Sequence, residues 1–260
     1  MATFSLTKDR SLANKKYGYG FYGDAGKAIV PVLQYRAGKY KLIGTAAYFG
    51  EPNWFITARH IFEGADIDKS DGFAVHFENT EEPTRLDTKF DIRNTDISIC
   101  RLEGPLPKSL DHIKPFAIMN LVPEQHEIVA AYGYSHSLVD PTQTYEIGDE
   151  EYQHLRFRTK WEVGGVIEIH PNGRGHVKSE CIETSILAEG RDSGAPIFNS
   201  NGFLVGILSQ SFEFESGLPN STFSSIVNIG GVDLNGTKVS DIWYKGQRSV
   251  FCRKYSTPDS

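Results

Sequence analysis

Residues 189–211 read EGRDSGAPIFNSNGFLVGILSQS. Ser193 lies between Asp192 and Gly194, in a corner with glycines at 190 and 194. Glycine lets a chain turn tightly enough to bring backbone N–H groups beside a side chain. Two short apolar runs follow, from Pro196 and from Phe203, separated by Asn201-Gly202. Asn-Gly between apolar runs is a strong hairpin signal. The stretch therefore predicts a turn that displays a hydroxyl, followed by two antiparallel strands.

The same grammar extends in both directions. Short β-type runs occur at 28–35, 40–49, 53–57, 73–78 and 96–102, and a second set at 127–134, 154–169, 176–188, 195–199, 203–212 and 222–229. No long helical stripe intervenes. Asn172-Gly173 marks another hairpin, and Pro105, Pro107, Pro115 and Pro123 cluster between the two sets. Each set is the size of a six-stranded barrel, so the expected fold is all-β, with two packed six-stranded antiparallel β-barrels. The expected divisions are an N-terminal extension (1–27), barrel one (28–104), a linker (105–125), barrel two (126–235) and a C-terminal segment (236–260). The acidic run Glu146–Glu151 reads as a solvated loop.

Composition narrows the function. The 260 residues carry a net charge of -6, which disfavours a phosphate-backbone partner and so nucleic acid. Mean hydropathy is -0.35, and no run approaches the roughly 20 apolar residues of a membrane helix, so no membrane partner is expected. Met1–Lys16 lacks the apolar core of a secretory signal, which makes cytoplasmic localisation the expectation. Cys100, Cys181 and Cys252, odd in number and widely spaced, read as reduced thiols. The sequons at Asn220 and Asn235 then carry no consequence.

Hydrolysis by a serine requires a base beside the hydroxyl, an acid that orients the base, and donors for the oxyanion. His60 follows an apolar strand in WFITARHIF, and Asp96 opens a buried-looking strand in NTDISICRL. Asp91 competes for the acid's role but lacks an apolar strand directly after it. Thr57-Ala58-Arg59-His60, Asp96-Ile97-Ser98-Ile99 and Asp192-Ser193-Gly194-Ala195-Pro196 together resemble the chymotrypsin/trypsin-like serine peptidase superfamily, in an intracellular, bacterial-type form. The order His, Asp, Ser belongs to that fold and to neither the α/β-hydrolases nor the subtilisins. The spacings of 36 and 97 residues put the first two residues in barrel one and the serine in barrel two.

The resemblance implies a serine endopeptidase working through an acyl-enzyme, without metal or cofactor, on a protein or peptide substrate. It implies Ser193 as nucleophile, His60 as base, Asp96 as orienting acid, and the N–H groups of Arg191 and Ser193 as the oxyanion hole. Arg191 stands where the family has glycine, so the expectation includes a site malformed at rest and switched on by a protein partner. Asp192 is expected to pair with backbone amides or an internal cation rather than with a cleaved N-terminus. Counting back without gaps puts Leu187 at the base of the primary pocket, which disfavours cleavage after Lys or Arg and suits a small-to-medium apolar residue. Ser209, Gln210 and Ser211 would form the edge strand that a substrate joins. The alternatives are a silent protease-like binding module and an esterase on the same fold.

Other motifs carry less. Gly18–Gly23 satisfies G-x-G-x-x-G, but no strand precedes it. Asp66, Asp68 and Ser70 begin like a calcium loop, but Phe77 occupies the twelfth position. The remaining histidines show no metal-site spacing, and Cys181 reads as a strand residue rather than a nucleophile.

Overall fold

The structure, a computed structural model, describes residues 25–36, 39–50, 53–63, 72–77, 80, 82–108, 113, 115–118, 122–134, 138–147, 150–157, 159–175, 177–213, 219–225 and 229–243. The G-x-G-x-x-G motif, Asp66–Ser70 and Cys252 lie outside these residues.

Barrel one is built from β1 (Ile29–Arg36), β2 (Lys39–Gly50), β3 (Trp54–Ala58), β4 (Gly72–Val75), β5 (Thr84–Ile92) and β6 (Ile97–Leu102), closed in the order β1-β2-β3-β6-β5-β4. Next come β7 (Ile128–Gly133), β8 (Leu138–Ile147), β9 (Glu150–Arg156), β10 (Lys160–His170), β11 (Cys181–Thr184), β12 (Pro196–Asn199), β13 (Leu204–Glu213) and β14 (Pro219–Ser225). Six of these close barrel two in the order β10-β11-β14-β13-β12-β7. The expected pair of six-stranded antiparallel barrels is therefore the observed fold.

The departures have local causes. β5 escaped the sequence reading because Arg85, Asp87, Lys89 and Asp91 alternate outward with Leu86, Phe90 and two threonines, which dilutes its apolar signal. The run 154–169 is two strands, β9 and β10. The run 176–188 contains only the four-residue β11, since residues 171–180 form the connection. The ends of the acidic run are strand rather than loop: Glu146 pairs with Glu151, and Ile147 with Glu150, across the separate two-stranded sheet of β8 and β9.

Buried apolar side chains fill both barrels, and the larger core crosses between them: Phe116 of the linker meets Phe198 of β12 edge-on at 5.0 Å. The linker also joins them by backbone bonds, Phe116 N–H to Tyr48 C=O at 3.0 Å and Leu204 N–H to Ala117 C=O at 2.9 Å. The short helix α1 (Val239–Ile242) leads into Trp243, which bridges to Gly50 at the end of β2. Cys100 and Cys181 are free and buried. No helix among the described residues is long and apolar enough to cross a membrane.

Candidate active site

His60 opens a three-residue 3-10 turn directly after β3, and Asp96 precedes β6. Because β3 and β6 are neighbours, with Ala58 opposite Ile97, the two residues leave the same end of barrel one side by side. The Asp96 carboxylate is fully buried and accepts twice from His60: from the backbone N–H at 3.0 Å and from ring Nδ1 at 2.7 Å. An ionised carboxylate only accepts, so the proton lies on Nδ1 and leaves Nε2 as acceptor. Nε2 stands 2.9 Å from Ser193 Oγ of barrel two. The structure thus brings together the three residues that the sequence spaces over 134 positions into one hydroxyl–imidazole–carboxylate line.

Burial pushes the Asp96 carboxyl up. The His60 ring, the Ser209 hydroxyl and the His60 backbone N–H outweigh it and hold the group below the usual carboxylate range. Asp91 is directed elsewhere, to the Ser98 hydroxyl and to Lys89 Nζ, 2.8 Å away.

The turn before Ser193 is closed by Asp192 N–H to Glu189 C=O at 3.1 Å. Arg191, its third residue, has φ 83, while Gly190 is not in the positive-φ region. That is the type II pattern, whose third position suits glycine. The Asp192 carboxylate is buried and accepts from Glu189 N–H at 3.0 Å, so a backbone amide does partner it. Downstream, Ala195 N–H donates to Asp192 C=O at 2.8 Å, turning the other side of that peptide, the Ser193 N–H, away from it. Among the described residues the Ser193 N–H has no acceptor.

The residues expected to bind substrate are less uniform. Leu187, expected at the base of the primary pocket, is 46% exposed. The Ser209 side chain is buried and donates to Asp96. Gln210 and Ser211 pair with Thr222 and Ser221 of β14, and β12 pairs with β13 only between Leu204 and Ile207. The Ser209–Glu213 stretch therefore has no strand on its second edge among the described residues.

Two features escaped sequence reasoning. Ser209 as a partner of Asp96 could not be read from a spacing of 113 residues. On barrel two, the register opposes Glu168 to Glu183 and His170 to Cys181, and brings carboxylate and imidazole ligand atoms of Glu168, His170 and Glu183 within 4.8 Å of one another. Arg174 donates to the buried Glu183 there and supplies the compensating positive charge.

Barrel pair and catalytic-type line together define a chymotrypsin/trypsin-like serine-protease domain. Residues 28–227 match the Trypsin family, and the chain belongs to it. It is similar in fold to the MamO protease domain from Magnetospirillum magneticum, with 15% identity and a TM-score of 0.56 over 78% of this chain and 93% of that one. It is similar also to the Rv3671c protease from M. tuberculosis in its active form, with 13% identity and a TM-score of 0.56 over 87% and 86%. The HtrA-type protease AlgW with a decapeptide shares 13% identity at a TM-score of 0.54 over 78% and 62%. No curated protein sequence resembles the chain significantly.

Proposed function

We propose that the chain is a serine endopeptidase in which Ser193 attacks the peptide carbonyl, His60 takes and returns its proton, and Asp96 fixes the imidazole tautomer. The observation that carries this reading is the continuous line Ser193 Oγ–His60 Nε2 (2.9 Å) and His60 Nδ1–Asp96 Oδ2 (2.7 Å). The Ser193 N–H, without an acceptor among the described residues, supports its role, beside that of Arg191, as an oxyanion donor. A substrate strand adds to the open edge at Ser209–Glu213, with a neutral apolar residue before the scissile bond. The setting is the cytoplasm, and the substrate is a protein or peptide.

The enzyme is conditionally active. Arg191 keeps the glycine-type conformation against the preference of its own side chain, a strain of about 1–3 kcal/mol. Reversing the Gly190–Arg191 peptide to a type I turn relieves that strain and swings the Arg191 N–H away. A protein partner that favours the type II form then raises turnover. The Rv3671c protease, a relative in fold, is itself known in active and inactive forms.

A fluorophosphonate probe tests the reading: label on Ser193, lost in Ser193→Ala, is the expected result. An intact fold that never labels, with or without cell extract, identifies the silent binding module. Turnover of acyl esters but of no peptide identifies the esterase.

A further inference from the structure

We infer that Thr45, a barrel-one residue on the strand beside the one that leads to His60, is a positioning residue that sets the nucleophile turn against the histidine. This rests on the serine-peptidase reading.

The reaction requires a hydroxyl on one barrel to meet an imidazole on the other, so something must hold the barrels in register at that point. Thr45 lies in the middle of β2 and is fully buried. Its backbone N–H donates to Ser193 C=O at 2.9 Å. Its hydroxyl donates to Arg191 C=O at 3.3 Å and accepts from the Tyr134 N–H, also at 3.3 Å. Its carbonyl accepts from the Thr57 hydroxyl at 2.6 Å, three residues before His60.

One residue therefore grips the nucleophile turn at two carbonyls, on either side of Asp192, and is itself gripped by the strand that delivers the base. The chain Thr57, Thr45, Arg191 thus links the strand that leads to His60 with the turn that carries Ser193. Gly194 completes the fit: a Cβ there would overlap both the Thr45 carbonyl oxygen and the Thr57 hydroxyl, so the turn sits directly on this pair.

The hydroxyl is what a hydrophobic residue of the same shape lacks. In Thr45→Val the N–H bond to Ser193 survives, but the Arg191 C=O and the Tyr134 N–H lose their buried partner. The Arg191 end of the turn then loses this anchor while the Ser193 end keeps its own, which tilts the oxyanion donors relative to Oγ. Small displacements of reacting groups reduce rates by up to about 100-fold.

The test measures inactivation of the full chain by a fluorophosphonate, separating the maximal inactivation rate from the half-saturating probe concentration. Thr45→Val is expected to lower the maximal rate by roughly 10- to 100-fold with little change in half-saturation. Thr45→Ser, which keeps the hydroxyl, restores most of the rate. Val166→Ala, in the barrel-two core, is the control: it lowers the melting temperature without lowering the rate at 25 °C. A Thr45→Val rate equal to wild type, or a Thr45→Ser rate as low as Thr45→Val, overturns the role of the hydroxyl while leaving the peptidase reading intact. Wild type that never labels overturns both.

Discussion

The Ser209 hydroxyl of barrel two donates to the Asp96 carboxylate of barrel one, so the acid that orients His60 is completed from the opposite barrel. With the two His60 donors, it makes three bonds to a fully buried carboxylate, which is why the anion persists out of water.

Ser209→Ala removes one of these donors and moves the Asp96 pKa upward. The folded pKa is held below its unfolded value, so this group's stabilisation is present above the unfolded pKa and fades as pH falls through the folded one. In the variant the folded pKa lies closer to the unfolded one, so this group loses less stability on acidification and the loss ends at a higher pH. Denaturant melts across pH 3 to 7 should show a shallower acid limb in the variant, with a stability loss of about 1.5–3 kcal/mol at neutral pH that shrinks as the pH falls. Superimposable acid limbs would show that the hydroxyl contributes nothing to the anion.

Arg191→Gly replaces a strained residue at φ 83 with one that adopts it freely. Folding should gain about 1–3 kcal/mol in chemical denaturation, and basal labelling of Ser193 should rise toward the partner-stimulated level. A less stable variant would mean that the Arg191 side chain contributes more than its backbone strain removes.

Gly194→Ala acts in the opposite direction. The added methyl overlaps the Thr45 carbonyl and the Thr57 hydroxyl, at a residue whose φ of 86 already disfavours a side chain. Ser193 should be displaced from His60 and labelling lost, with a melting temperature lowered by about 2–4 °C for each kcal/mol of strain. Full labelling would show that the turn has room to shift.

His76 follows β4, and its ring lies 5.1 Å from that of Phe157, between β9 and β10. Burial lowers its pKa, so the unfolded chain takes up a proton before the folded one does. This group's contribution is complete above the unfolded pKa, near 6.5, and declines as pH falls from there toward the folded value. Comparing melting temperatures at pH 5 and 7.5 for wild type and His76→Phe should show a smaller decline in the variant.

Burial pushes the Cys100 thiol up to about 12 and raises that of Cys181. The native protein should leave both unmodified by iodoacetamide at pH 8, with modification by mass spectrometry only after unfolding.

Much of this was legible in the linear chain. The apolar runs of β3 and β6 announce themselves, and each of His60, Asp96 and Ser193 sits at the edge of such a run in a recognisable neighbourhood. β5 was not legible, because its charged outward face masks a weakly apolar inward one. The bond from Ser209 to Asp96 was not legible either, because a strand residue's direction depends on which face its barrel turns toward Asp96.

The sequence by itself determined the class of fold and the chemistry on offer, since alternation, turn residues and the neighbourhood of a reactive side chain are local properties. Only the tertiary structure decided how those groups meet. The bonds from Ser209 to Asp96 and from Thr45 to Arg191 cross between barrels over separations of 113 and 146 residues, where no local pattern records distance or direction. The conformation of Arg191 belongs to the same class: side-chain preference opposes it, and the turn closed between Glu189 and Asp192 imposes it.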